Sequence, residues 1–174
     1  MPNTPKIASP GSGREFDCFP AAVLGFIINP EGQMLLLGNP DGRHRWQVVN
    51  GALEHGETVV DGALREIAEE AGPLLKVRPL GCFHVESFAL DPAMPPMVSI
   101  HYLFASSNST VVPGSDMRGA SPGWFTPEEI AGLAEAIIVP AYRPRIFERA
   151  FRCHTDWLRD QPDLQLSMPE ISLC

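Results

Sequence analysis

Glu66, Glu69 and Glu70 stand at i, i+3 and i+4 of the run Leu64-Arg65-Glu66-Ile67-Ala68-Glu69-Glu70. On a helix that spacing puts the three carboxylates on one face, within an arc of roughly 100°. Like charges so close repel, and a divalent cation removes the repulsion. Oxygen donors in this number suit a hard ion, Mg2+ or Mn2+, and not a soft-metal site. Mg2+ keeps several waters and completes its shell with substrate phosphates, so phosphate chemistry is the expectation. Gly62 falls in the same arc and is expected to leave open space above the carboxylates. The bland alternative is a solvated acidic face, since glutamate is a good helix former.

The carboxylates need a helix beneath them, and the chain supplies the signals for one over Thr58–Ala71. Thr58 is placed to cap its start, with Asp61 three residues on. Gly72 suits the left-handed position after the last turn, and Pro73 stops the helix. Val60, Leu64, Ile67 and Ala71 recur at helical spacing as one apolar stripe.

Gly51, Glu57, Arg65, Glu66, Ile67, Glu69, Glu70 and Gly72 together resemble the Nudix box, G-x5-E-x7-R-E-U-x-E-E-x-G-U, in which U is a bulky aliphatic residue. Chance agreement at the seven invariant positions is on the order of one in a million. Trp46, five residues before the first glycine, and Trp124-Phe-Thr-Pro-Glu128-Glu129-Ile130 extend the similarity. Pro73 replaces the final aliphatic residue of the box. Val49-Asn50 stands where many members have Pro-Gly, and Asn50 is expected to keep a turn there, since asparagine tolerates a left-handed conformation.

The resemblance implies metal-assisted hydrolysis of a phosphoanhydride, with Mg2+ or Mn2+ as cofactor and a nucleotide-type small molecule as substrate. Glu66, Glu69 and Glu70 are then metal ligands, joined by the Gly51 carbonyl and Glu57. Glu57 is alternatively the partner of Arg65, which in the family braces the loop carboxylate. Glu66 and Glu69, with Arg65, form the catalytic group. Glu66 is one candidate base; Glu86, Glu128 and Glu129, outside the box, are the others. Markers for narrower classes are missing, because Ala89 stands where many ADP-ribose hydrolases have a proline. Two other activities remain open at this point: a non-catalytic nucleotide-sensing module, and a relative of isoprenoid-diphosphate isomerases.

Candidate substrate-binding residues lie outside the box. Arg43 and Arg45, flanking His44, suit a phosphate. Phe83 and Trp124 suit a nucleobase, although at strand spacing aromatics more often belong to a core. Glu86 completes this set. His84 and His101 read as structural.

Strands are expected at Ala21–Ile28, Gln33–Leu37, Trp46–Val49, Leu80–Leu90, Met97–Ala105 and Ser121–Thr126, the first two forming a hairpin. A helix is expected after Thr126 through about Glu135, with Pro127 in its first turn, and another over Ala141–Leu158. Tyr142, Ile146, Phe147, Ala150 and Phe151 share one face of the latter, which suits core packing or a homodimer contact. The class is α+β, a Nudix-type α/β/α sandwich with a mixed sheet. One domain over 18–160 is expected between a flexible arm at 1–17 and a tail at 161–174.

The 174 residues carry 13 Lys and Arg against 21 Asp and Glu, a net charge of −8. That balance argues against a broad nucleic-acid surface and against a polybasic membrane patch. The start of the chain reads as no signal peptide, and Ala21–Ile28 is too short to span a bilayer. Four cysteines without metal-binding spacing suit reduced thiols in a cytoplasmic protein.

Overall fold

The computed structural model describes residues 5–40, 45–89, 95–133, 136–137 and 144–160. Its centre is β3 (Ala21–Ile28), a run of apolar residues long enough to be covered on both faces. β3 runs parallel to β8 (Met97–Ser106) from Ala21↔Val98 to Ile28↔Ala105. On its other side it is antiparallel to β6 (Val49–Ala52) and meets β4 (Met34–Gly38) at Ile28↔Met34. β4 in turn pairs with β5 (Trp46–Gln47) and β9 (Ser121–Phe125). β7 (Val77–Phe88) lies antiparallel to β8. The result is a mixed sheet with helices on both faces, an α/β/α sandwich.

Side-chain alternation along β3 and β4 builds two cores from one sheet. Leu24, Phe26, Ile28, Met34 and Leu36 face one side. They pack on Ile130 of α2 (Pro127–Gly132) and on Ile146, Phe147 and Ala150 of α3 (Pro144–Asp160). Val23, Ile27, Leu35 and Leu37 face the other side and pack on Ala63 and Ile67 of α1 (Val59–Glu70). Ile67 is fully buried, which stabilises the helix-on-sheet contact by roughly 1.5–3 kcal/mol.

Several expectations need correction. The N-terminal segment contains a two-stranded hairpin, β1 (Lys6–Ala8) with β2 (Glu15–Asp17), where a loose arm was expected. The turn-forming Pro10-Gly11-Ser12-Gly13 closes it, with Gly13 at φ 65°. The third strand splits into β5 and β6. Asn50 is not a turn residue, since it pairs with Leu24 within β6. The stripe on α1 is rolled: Ala63 is buried with Ile67, while Val60 and Leu64 are only half-buried. Glu129 is engaged in capping α2, its carboxylate accepting from the Thr126 N–H at 2.8 Å. Tyr142 and the tail at 161–174 lie outside the described residues. Among those described, no helix is long and apolar enough to cross a membrane.

Candidate active site

α1 begins at Thr58, whose hydroxyl oxygen accepts from the Asp61 N–H at 3.2 Å and donates to Asp61 Oδ2 at 2.6 Å. It ends at Gly72, with φ 88°, where a Cβ would run into the Val112 carbonyl. The chain between β8 and β9 returns to this end of the helix. Gly114 N–H donates to the Glu70 carbonyl at 3.1 Å and Asp116 N–H to the Glu69 carbonyl at 3.2 Å. These bonds satisfy carbonyls that the last turn leaves open, and they bring Asp116 close enough for its charge to act on Glu66 and Glu70.

The carboxylate face is largely covered, unlike the solvated acidic face of the bland alternative. Glu66 and Glu70 retain 8 % and 7 % of their surface. The cause is β6, which lies against α1. Glu70 Oε2 accepts from the Asn50 N–H at 3.0 Å. Glu66 lies against Gly51, where any side chain would overlap its carboxylate. A residue larger than glycine at position 51 would therefore have to displace the Glu66 carboxylate. The space over Gly62 is not open either, since Leu53 and the Glu57 carboxylate fill it.

Arg65 joins the parts. Its Nε and Nη2 donate to Glu57 Oε1 and Oε2 at 2.7 and 3.1 Å. Nη1 donates to Glu66 Oε1 at 2.8 Å and to Glu69 Oε2 at 2.9 Å, and Nη2 also donates to the Ala52 carbonyl at 2.9 Å. One guanidinium thus ties the loop before α1, the end of β6 and two box glutamates into a single geometry. Of the two readings of Glu57, this is the pairing with Arg65.

The electrostatics follow from this arrangement. Arg65 and then the Glu54 N–H hold Glu57 down at about 2. Burial pushes Glu66 up, against the pull of Arg65. Burial pushes Glu70 up to about 7, opposed by the Asn50 N–H. The bond to Glu57 raises Arg65.

Among the described residues, no three carboxylates, imidazoles or thiolates converge on one point at ligating distance. Arg65 Nη1 lies between Glu66 and Glu69 and spans that gap. The donor set still fits a hard dication. Three box carboxylates share one guanidinium, Glu66 among them and Glu70 beside them are buried, and Asp116 adds a further negative charge. Such burial of like charge is costly unless it is neutralised. Glu66, Glu69 and Glu70 are oxygen donors on adjacent turns, as Mg2+ or Mn2+ requires.

The other candidate residues are scattered. Phe83 is 4 % exposed and packs edge-on against Phe26, so it belongs to the core and not to a ligand-stacking surface. A bulge between Cys82 and His84 turns it inward. Trp124 is half-buried and its Nε1 donates to the Ser109 carbonyl at 3.0 Å. Arg45 is exposed, with its carbonyl accepting from Asn39. Arg43 and His44 lie outside the described residues. Glu86 stands between His84 and His101 on the α3 side of the sheet, whereas α1 covers the opposite side. Asp116 and the Asn50 N–H were missed. Both act through backbone return paths from distant segments, for which the sequence carries no local signal.

The mixed-sheet sandwich is a fold shared with solved structures. A profile of the NUDIX domain matches residues 19–146, and the chain belongs to that family. It is 32 % identical over 153 residues to the NAD-capped RNA hydrolase NUDT12 of Homo sapiens, covering 82 % of this chain and 30 % of that protein. It is 37 % identical over 90 residues to an octanoyltransferase of Myxococcus xanthus, covering 51 % of this chain and 24 % of that one. The chain thus spans less than a third of these relatives. Among solved structures, a MutT protein from Methanosarcina mazei Go1 matches with a TM-score of 0.61 and 24 % identity, covering 78 % of this chain and 95 % of that one. The E. coli dihydroneopterin triphosphate pyrophosphohydrolase matches with a TM-score of 0.52 and 20 % identity, over 67 % and 88 %. At these identities the structures speak for the fold.

Proposed function

We propose that the chain is a pyrophosphohydrolase that cleaves the phosphoanhydride of a nucleoside diphosphate linked to another moiety, such as a nucleoside triphosphate or a nucleotide sugar. The observation that carries this reading is the Arg65-centred cluster of Glu57, Glu66 and Glu69 against Gly51. Glu66, Glu69 and Glu70, with the Gly51 carbonyl, are the groups that would hold Mg2+ or Mn2+. When bound, the ion supplies positive charge for the phosphate oxygens and acidifies the attacking water. Arg65 ties Glu57, Glu66 and Glu69 to one guanidinium, and an ion held by Glu66 and Glu69 would replace the bonds that Nη1 makes to them. A carboxylate takes the proton of the attacking water; Glu66 and Glu69 are the box candidates, and Asp116 joins them by its proximity. Glu129 is already committed to its helix cap, which argues against it.

The NAD-capped RNA hydrolase among the relatives supports including dinucleotide pyrophosphates in the first panel of substrates. The test is a hydrolysis screen over nucleoside triphosphates, nucleotide sugars, ADP-ribose, dinucleotides and capped RNA, with and without EDTA. A nucleoside monophosphate, with a phosphorylated partner or pyrophosphate, should appear only with divalent metal. Tight nucleotide binding without turnover across the panel would instead indicate a sensing module, and rearranged isoprenoid diphosphate an isomerase.

A further inference from the structure

On the sheet face opposite the carboxylates, β7 and the first turns of α3 line an open cleft of about 300 Å3 formed by His84, Arg145, Ile146 and Arg149. We propose that this cavity binds a phosphate group, at a site separate from the hydrolytic one.

Two like charges stand together there, and a bound anion would offset their mutual repulsion. Arg145 and Arg149 are one helical turn apart, so two like charges share a face. Arg145 lies in the first turn, where the helix dipole disfavours a cation, and that turn has no acidic residue. Among the described residues, neither guanidinium has an ion pair or a side-chain hydrogen bond. In a chain of net charge −8, the cleft thus gathers two arginines without an ion pair among the described residues, with Glu86 behind His84.

His84 forms part of the cleft wall, with His101 behind it. The Nε2 of His84 is buried without a hydrogen-bond partner. It lies 3.9 Å from Glu86 Oε2, and Glu86 Oε1 lies 3.5 Å from Nε2 of His101. His101 is 1 % exposed and neither of its ring nitrogens has a hydrogen-bond partner. Buried nitrogens left unbonded are costly. Two guanidinium forks and an imidazole match the charge and the several acceptor oxygens of a phosphate dianion better than a single carboxylate. The phosphate belongs either to the far end of a nucleotide substrate or to a separate phosphorylated compound; the chemistry of the site is the same for both.

The experiment is calorimetric titration of the full chain with inorganic phosphate in EDTA, without divalent metal. Wild type should show saturable binding at or below about 10 mM. The double variant Arg145→Gln/Arg149→Gln should weaken it by at least about tenfold, the effect of losing charge-assisted bonds. Glu69→Gln, on the other face, should leave phosphate binding unchanged. Circular dichroism and melting verify that the variants fold, and the single Arg149→Gln at an exposed position is the fallback. A raised KM with unchanged kcat for a triphosphate in the double variant assigns the cavity to the substrate's own phosphate. Unchanged kinetics with lost phosphate binding assign it to a separate ligand. No saturable binding by wild type, or equal binding by the double variant, overturns the proposal.

Discussion

The two faces of the sheet carry two polar clusters built in opposite ways. On the α1 side, Arg65 makes five hydrogen bonds to three carboxylates and a carbonyl. On the α3 side, His84, Glu86 and His101 approach to 3.5–3.9 Å, with three imidazole nitrogens unbonded. The first cluster is braced by its own chain. In the second, His101 is held by strand register and by the aromatic rings around it: it stacks on Phe26 at 5.5 Å and meets Phe83 edge-on at 6.1 Å. A braced cluster resists substitution through geometry, so single changes there should abolish function. A cluster held by packing should tolerate apolar replacement.

The largest effect expected is on turnover. Glu69→Gln keeps the shape and removes the charge, and steady-state hydrolysis should fall by about 10²–10³-fold with the melting temperature little changed. Gly51→Ala comes next. Its Cβ overlaps the Glu66 carboxylate and must displace it, and a displacement on the order of 1 Å costs about 10²-fold in kcat. Turnover equal to wild type in this variant would break the argument for close approach. Arg65→Lys preserves charge but cannot form the fork to Glu57 while reaching Glu66 and Glu69. Both activity and melting temperature should fall, the latter because the carboxylates lose their shared partner.

These three sites were legible because they sit in one stretch of chain. The cap at Thr58, the stop at Gly72 and the glutamate spacing are local, and a helix converts spacing directly into a shared face. The burial of that face was not legible. It depends on β6 lying against α1, which only pairing of Val23 with Gly51 and Leu24 with Asn50 establishes. Asp116 was invisible for a similar reason, since it reaches the site because the loop after β8 closes the end of α1. On the other face, simple alternation puts Phe83 and His84 on opposite sides of β7. The bulge between Cys82 and His84 breaks that alternation and leaves Phe83 as the extra residue, and no sequence signal marked it.

The smallest effect sharpens the contrast. Burial, and then His84, lower His101 from 6.5 to about 4. Between these values the unfolded chain binds more protons than the folded one, so this residue's contribution to stability is present above pH 6.5 and is lost as pH falls to about 4. His101→Phe fits among the same rings and removes both unbonded nitrogens. Melting at neutral pH should stay within about 1 kcal/mol of wild type, and the acid limb between pH 6.5 and 4 should flatten. A large loss at neutral pH would show that the imidazole is bonded after all.

The central claim is that one turn of α1 holds a divalent ion, and titration with Mn2+ followed by electron paramagnetic resonance in phosphate-free buffer tests it most directly. Wild type should bind saturably, and Glu66→Gln, Glu69→Gln and Glu70→Gln should each weaken binding by at least about tenfold. Binding of the same affinity in all three variants would contradict it.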